Sequence, residues 1–463
     1  MLRYLSNINK LELVLIVILL TQGIINLIGA LGPELGFDAL WYHLTLPKIY
    51  LSEGKIFFIP GGLLYYSAIP KLIEMLYIPS LALGSEIIAK LIHFSFGIIT
   101  LFALYKLSRI FLSRALSLLV LVVFYSNLVV AWQSTTAYVD LGRTFFEVLA
   151  LFFIVYYFKN RENSNLTKSA ISIGLAISSK LLAFGSLVVF IAILFLKRVD
   201  AVKIFKLILI SIIIPSPWFI FSYINTGNPV YPFFSGIYEV SSSVNISNIL
   251  NFIRSPDPIS PIYLITLPLV LLTYKKFDKL LKVIAIYSFL SFLIWFIAPQ
   301  TGGGRFIMPY LPAFSILAVS AINYSKNNFI KKYLVALIIL ISISSIMYRA
   351  AANAKFIPIL VGVESRHEFL SKNLNFDFGD FYDTDYYFAK NIKSSDKVLI
   401  YGTHNLFYVN FPFIHESWLK SDDKFNYIMV QNVELPRRFS DWKEIYSNER
   451  THVKLYSKHE RIN

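Results

Sequence analysis

Nine mostly apolar stretches, each near the length of a membrane-crossing helix, restrict this chain to one class of solution. They lie near 11–31, 86–104, 115–132, 138–158, 207–224, 260–274, 283–298, 306–322 and 333–348. At about 1.5 Å per residue, roughly 20 apolar residues cover the roughly 30 Å of hydrocarbon in a bilayer. Lipid offers no water to backbone N–H and C=O groups, so each stretch must pair them internally as a helix. The composition agrees: 56% of residues are hydrophobic and 15% charged, where a soluble chain carries about a quarter charged residues. There is no cysteine, which excludes disulfides, thiolate metal sites and thiol catalysis.

One further segment, 169–196, is too long for a single close-fitting span and too short for two full ones. Lysine and arginine decide how it runs. With the N-terminus in the cytoplasm, the inner segments 1–10, 105–114, 159–168, 197–206, 275–282 and 325–332 hold 19 Lys and Arg. The outer segments 32–85, 133–137, 225–259 and 299–305 hold 5 despite their greater total length. This is the positive-inside pattern. The formal charge of +15 is therefore a topology signal, and no nucleic-acid partner is implied. Because 159–168 and 197–206 are both basic, the chain between them goes out and returns, a hairpin with Ser178-Ser179-Lys180 at its tip. A single tilted helix with a snorkelling Lys180 is the plainer alternative. The total is about eleven spans, in a cell (plasma or inner) membrane. Leu11–Leu31 follows Arg3 and Lys10 and lacks a small-x-small cleavage site, so it reads as an uncleaved first helix.

Two regions interrupt the alternation of span and turn. The outer loop 32–85 is far longer than a turn needs, and within it Ala39–Ser52 and Leu63–Leu76 read as interfacial helices. The tail 349–463 is more polar, and an odd number of crossings puts it outside. There Lys397–Tyr401, Phe425–Val430 and His452–Tyr456 read as strands and Asp385–Lys393 as a helix, giving a small extracytoplasmic α/β domain on an all-α membrane body, 1–348.

Ionisable groups at membrane depth are costly, so each is a functional candidate. With the topology set by other residues, they converge on the outer leaflet. Glu34, Asp38 and His43 follow the first span. Asp140 opens the fourth, with Arg143 below it. Lys180 tips the hairpin, and Arg305 ends Gly302-Gly303-Gly304. Plainer readings exist for each. Asp38 is a favoured N-cap for a helix beginning at Ala39. Asp140, Arg143 and Glu147, at i, i+3 and i+7, fit a self-contained ion-pair ladder. His93 on an apolar helix fits a satisfied packing residue. Glu34, Asp38 and His43 fit part of a metal site, but no second pair at ligand spacing accompanies them. The glycine run lacks the Lys-Ser/Thr ending of a P-loop, yet it could form an anion nest.

The stretch Gly36-Phe37-Asp38-Ala39-Leu40-Trp41-Tyr42-His43, followed by Pro47-Lys48-Ile49-Tyr50-Leu51 and Gly54, resembles the first outer loop of GT-C superfamily glycosyltransferases. It is most similar to bacterial members related to the protein O-mannosyltransferases and the lipid A aminoarabinose transferase. Ala137-Tyr138-Val139-Asp140, Gly174 to Lys180, Gly227-Asn228-Pro229-Val230-Tyr231-Pro232 and Arg305-Phe306-Ile307-Met308-Pro309 agree in order. The resemblance covers about 10–350. It implies an enzyme that moves a sugar from a polyprenyl-phosphate carrier to a glycan, lipid or protein acceptor outside the cytoplasm, usually with inversion. It makes Asp38 the catalytic acid of the first loop. Protein O-mannosyltransferases carry an Asp-Glu pair and oligosaccharyltransferases Asp-x-Asp, whereas Ala39 and Leu40 follow Asp38 here, so a divalent metal is left open.

The chemistry has its own logic. Displacement at an anomeric carbon needs a base on the attacking hydroxyl, a role for Asp38. A lipid phosphate leaving group needs fixed cations, for which Lys180, Arg305 and Arg143 are the candidates. Glu34, Tyr42, His43, Asp140 and Tyr231 are expected to contact substrate, while Trp41, Tyr65 and Tyr66 stack on sugar or prenyl faces or form the interfacial belt. Two other classes fit the same charges: a transporter or flippase of lipid-linked sugars, and a non-catalytic envelope scaffold. The absence of an internal repeat weighs against the transporter.

Overall fold

The computed structural model describes residues 8–237, 258–297 and 304–458. Gly302 and Gly303, with most of the 225–259 loop, lie outside the described residues. The body is helical. Lys10–Leu31 starts with a capping box in which Asn9 and Glu12 bond each other's backbone N–H, satisfying donors a helix start otherwise leaves bare. By length and apolar character, six described helices can cross a membrane: Lys10–Leu31, Glu86–Ser108, Asp140–Asn160, Lys279–Ile297, Gly304–Tyr324 and Asn328–Leu360.

The pair Ala201–Ile213 and Ser216–Thr226 makes a seventh if counted as one span; it bends by 58° where Pro215 and Pro217 cannot supply the N–H groups of a continuous helix. The remaining four expected spans are shorter than full crossings. The 115–132 stretch divides into Arg114–Tyr125 and Leu128–Gln133. Between them Asn127 takes an extended backbone. Ile262–Thr273 has 12 residues, about 18 Å of helix. Hydropathy windows count apolar residues without registering such breaks, so eleven becomes six or seven full-length helices plus shorter ones.

The 169–196 segment does form two arms, Asn163–Ser179 and Leu181–Leu196, broken at Lys180. At one end Lys180 meets Asp140 at the start of Asp140–Asn160. At the other, Asn163 lines a crevice with Lys203. The chain therefore goes and returns beside its neighbour, and Ser169 Oγ donates to the Ala150 carbonyl at 3.0 Å across that contact.

In the first loop, one π-helical turn, Ala39–His43, runs into Thr45–Glu53. A short 3₁₀ turn, Tyr65–Ala68, precedes Leu72–Ala82. In the tail, five strands form one mixed sheet: β1 Val398–Tyr401, β2 Phe413–His415, β3 Tyr427–Gln431, β4 Lys443–Asn448 and β5 Val453–Ser457. Their order is β2-β1-β3-β5-β4, with β1 parallel to both neighbours and β5 antiparallel to both of its own. β1 and β3 are buried along their whole length, as parallel central strands are. β2 and β4 went unread in the sequence because one is three residues long and the other largely polar.

The tail is clamped onto the first loop. Lys48 Nζ donates to the Phe407 and Val409 carbonyls at 2.6 and 2.7 Å and to Asn410 Oδ1 at 2.8 Å. Tyr408 OH donates to the Glu34 carbonyl at 2.9 Å. Arg366 pairs with Glu86 at 2.6 Å, tying the tail to a membrane helix as well.

Candidate active site

Four chain segments bring charge to one place. Asp38 Oδ2 accepts from Arg305 Nη1 at 2.6 Å and from Tyr42 OH at 3.3 Å. Arg305 Nε faces Asp140 Oδ2 at 3.9 Å. Asp140 Oδ1 accepts from Lys180 Nζ at 2.6 Å. The order is Asp38–Arg305–Asp140–Lys180, alternating in sign, from positions up to 267 residues apart. Asp140 is sealed, but the side chains of Asp38, Arg305 and Lys180 keep 13–14% of their surface open. The charges are therefore only partly closed off.

Local structure fixes each member. Asp38 precedes the π-turn without capping it: its side chain makes no cap hydrogen bond, so the carboxylate is free to face Arg305. Its own N–H donates to Tyr138 OH at 3.0 Å, and the Arg305 guanidinium lies 5.1 Å from the Tyr138 ring centre. Asp38 Oδ1 accepts no bond among the described residues. Lys180 and Arg305 both lie over the Phe306 ring, at 5.0 and 5.5 Å. Tyr138 and Phe306 were quoted in the sequence resemblance without a role; flanking Asp140 and Arg305 was the only signal they offered.

Burial by itself would raise the Asp38 pKa, but Arg305, then His43 and Lys180, outweigh it and hold the carboxyl below its ordinary value. Glu34 goes the other way: burial dominates over Lys90 and three backbone N–H groups and raises it.

Three expected substrate contacts serve the walls instead. Glu34 accepts from the N–H groups of Leu35, Gly36 and Ala137 at 2.9, 2.7 and 2.6 Å, stapling the loop to the start of the fourth span. A Cβ on Gly36 would stand 2.9 Å from both Glu34 Oε1 and the Tyr138 ring, so only glycine fits that approach. His43 is buried, with Nδ1 2.8 Å from Glu74 Oε1; nothing in the sequence pointed to Glu74. Tyr231 packs with Tyr65 and Ala68 in a cluster flanked by Trp41, Phe58 and Tyr66, and the Tyr65 ring is 6.0 Å from Trp41. Tyr42 does remain at the site, stacked on Tyr66 at 3.8 Å and bonded to Asp38.

Arg143 also leaves the set of phosphate ligands. Its Nε donates to Glu147 Oε1 at 2.6 Å and its Nη2 to Tyr310 OH at 3.2 Å, all sealed. Ser186 Oγ donates to the other Glu147 oxygen at 2.6 Å. Part of the expected ladder thus exists, between Arg143 and Glu147, while Asp140 turns to Lys180. Glu147→Ala is expected to lower stability by about 3–5 kcal/mol, because Arg143 is left charged and buried. Thermal unfolding in detergent checks this against Arg143→Met/Glu147→Leu, which should lose far less. His93 is satisfied at both nitrogens, by the Thr136 carbonyl at 2.8 Å and the Leu141 N–H at 3.0 Å, and so steadies the turn carrying Asp140.

The charge chain does not fit a metal. The two carboxylates face resident cations, and no group of three or more His, Asp or Glu able to hold an ion occurs among the described residues. The guanidinium of Arg305 stands between Asp38 and Asp140, where an ion bridging them would have to sit.

No family model matches the sequence, and no curated protein sequence does either. Solved structures do. ArnT from Cupriavidus metallidurans, bound to undecaprenyl phosphate, superposes with a TM-score of 0.63 at 11% identity, covering 97% of this chain and 98% of that one. The oligosaccharyltransferase AglB from Archaeoglobus fulgidus, in complex with an inhibitory peptide and a dolichol-phosphate, gives 0.51 at 10% identity, over 89% of this chain and 69% of that one. Over nearly its whole length the chain shares the fold of these solved structures.

Proposed function

We propose that this protein is an inverting glycosyltransferase that moves a sugar from a polyprenyl-phosphate donor to an acceptor hydroxyl outside the cytoplasm. The observation that carries the proposal is the partly open chain Asp38–Arg305–Asp140–Lys180. It joins one carboxylate oxygen that has no partner among the described residues to two cations that use few of their donors there. Arg305 hydrogen-bonds through Nη1 alone among the described side chains, and its Nε has no hydrogen-bond partner. An unsatisfied guanidinium suits a phosphate, which it can meet with two parallel N–H groups. Fold similarity to proteins solved with undecaprenyl phosphate and dolichol-phosphate supports the same ligand class.

In this mechanism the lipid phosphate enters against Arg305 and Lys180 and competes with Asp38 for the guanidinium. Asp38 then loses its strongest partner and becomes more basic as substrate binds. Its Oδ1 takes the proton of the acceptor hydroxyl. The acceptor oxygen bonds to the anomeric carbon from the face opposite the phosphate. The carbon–oxygen bond to phosphate breaks, its electron pair goes to the phosphate oxygen, and Arg305 and Lys180 hold the charge that develops. Asp140 keeps the two cations in place.

Mass spectrometry of envelope glycolipids and glycoproteins tests the function. A sugar lost on deletion should return with the parent gene and stay absent with Asp38→Asn. Identical glycans with and without the gene would sink the proposal. Orientation is tested separately in this cysteine-free chain. A cysteine at exposed Asp422 should react with an impermeant maleimide on intact cells, and one at exposed Asn163 only after lysis. The reverse pattern would put the site on the cytoplasmic side and overturn the proposed location.

A further inference from the structure

The turn Gly402–Asn405, which follows β1 in the tail, touches the charged site. His404 stacks on Phe37 at 4.9 Å with ring planes 24° apart, and its ring centre is 4.4 Å from that of Trp41. Phe37 immediately precedes Asp38, and Trp41 lies one π-turn on. The ring of a residue 366 positions away therefore flanks the carboxylate read as the base.

The turn is held rigidly. His404 and Asn405 donate their backbone N–H groups to the Gly379 carbonyl at 3.1 and 3.0 Å. His415, whose Nδ1 accepts from the Ser417 N–H at 3.1 Å, donates from Nε2 to the Thr403 carbonyl at 3.1 Å. Asn405 Nδ2 donates to Asp380 Oδ1 at 2.6 Å, and Asp380 Oδ2 accepts from the Asn375 N–H at 2.7 Å. With its amide nitrogen committed to Asp380, Asn405 presents its oxygen to His404 Nδ1 at 3.2 Å. Nδ1 must then carry the hydrogen, and Nε2 keeps its lone pair. Nε2 has no partner among the described residues, and the ring is half-buried. Burial lowers the imidazole pKa, so the ring stays neutral and the lone pair persists at neutral pH.

We infer that this turn forms the acceptor subsite and that the acceptor is a sugar, whose ring packs on Phe37 and Trp41 while one of its hydroxyls donates to His404 Nε2. The weakly positive C–H face of a sugar ring complements the negative face of an aromatic ring. Phe37, 39% exposed, leaves such a surface open next to Asp38. The hydrogen bond needs a donor, and a sugar supplies hydroxyls beside the one that reacts. The tail thus contributes to the site directly, and the subsite rests on the glycosyltransferase reading above.

The test uses full-length protein, undecaprenyl phosphate as the donor-side probe, and membranes of the deletion strain as the acceptor source. Those membranes also supply the lipid-linked donor. His404→Ala should raise the apparent KM for acceptor membranes about tenfold, the size of one lost hydrogen bond to a substrate hydroxyl. Undecaprenyl phosphate affinity should change less than about twofold, because His404 makes no contact with Arg305 or Lys180 among the described residues, and this also reports an intact fold. His404→Gln, which can still accept a hydrogen bond, should recover part of the loss. Transfer should survive exhaustive proteolysis of the acceptor membranes, and linkage analysis of the product should place the new glycosidic bond on a sugar hydroxyl. An unchanged acceptor KM in His404→Ala, an equal loss of undecaprenyl phosphate binding, or loss of transfer after proteolysis would each overturn the subsite while leaving the transferase reading intact. A parent protein that neither binds undecaprenyl phosphate nor transfers sugar overturns both.

Discussion

Asp38→Asn is expected to reduce sugar transfer by about 10²- to 10⁴-fold, the range contributed by one positioned proton acceptor. The amide keeps the shape of the carboxylate and can still accept from Tyr42 and Arg305, so undecaprenyl phosphate binding should survive or tighten once a competing charge is gone. That combination separates a base from a structural anchor. If the variant transferred sugar at the parental rate, the base assignment would be wrong. If it failed to bind the lipid phosphate, Asp38 would instead be holding Arg305 in place. The pH profile carries a second sign. Arg305 and its neighbours overcome burial and depress the Asp38 pKa, so in free enzyme the carboxylate is lost only below the ordinary carboxylate range. In kcat/KM, Asp38 should therefore impose no acid limb near neutrality. In kcat, measured with phosphate on Arg305, the limb should lie at higher pH.

Arg305→Ala carries the other large effect. Loss of a fixed cation that faces the leaving phosphate should cost about 10²- to 10³-fold in kcat. It should weaken undecaprenyl phosphate binding too, which Asp38→Asn should not do. Removing Arg305 also removes the leading charge that opposes burial at Asp38, so its pKa rises and the acid limb of the residual kcat/KM moves upward in pH. Arg305→Lys restores charge without the two-pronged donor geometry and should recover binding more than rate. An Arg305→Ala enzyme with parental phosphate affinity and an unshifted profile would remove Arg305 from both roles. Lys180→Ala should weaken phosphate binding without moving the Asp38 limb as far, because Lys180 bonds Asp140 and not Asp38.

How much of this could be read without coordinates differs residue by residue. Asp38, Asp140, Lys180 and Arg305 were legible because each is ionisable, sits where an apolar pattern ends, and falls on the same side once Lys and Arg set the topology. Arg143 met the same description and belongs elsewhere. Three residues beyond Asp140, it lies on much the same helix face but one turn further along, where Glu147 takes it. Glu34 and His43 were read as substrate contacts because they stand near Asp38 in sequence, but their partners are the Ala137 N–H and Glu74, on other segments. His404 drew no notice: a lone histidine in a polar tail has no local pattern to mark it.

The sequence by itself determined that this chain lives in a membrane, which way it is expected to face, and which charges are too costly to be there by accident. Those properties follow from hydration free energies, which each residue carries wherever it lies. Only the tertiary structure decided which acid meets which base, that a guanidinium occupies the gap between two carboxylates, and that the tail reaches the site. Those depend on separations of a few ångströms between residues hundreds of positions apart, such as Phe37 and His404, and short-range contacts of that kind exist only after the chain has packed.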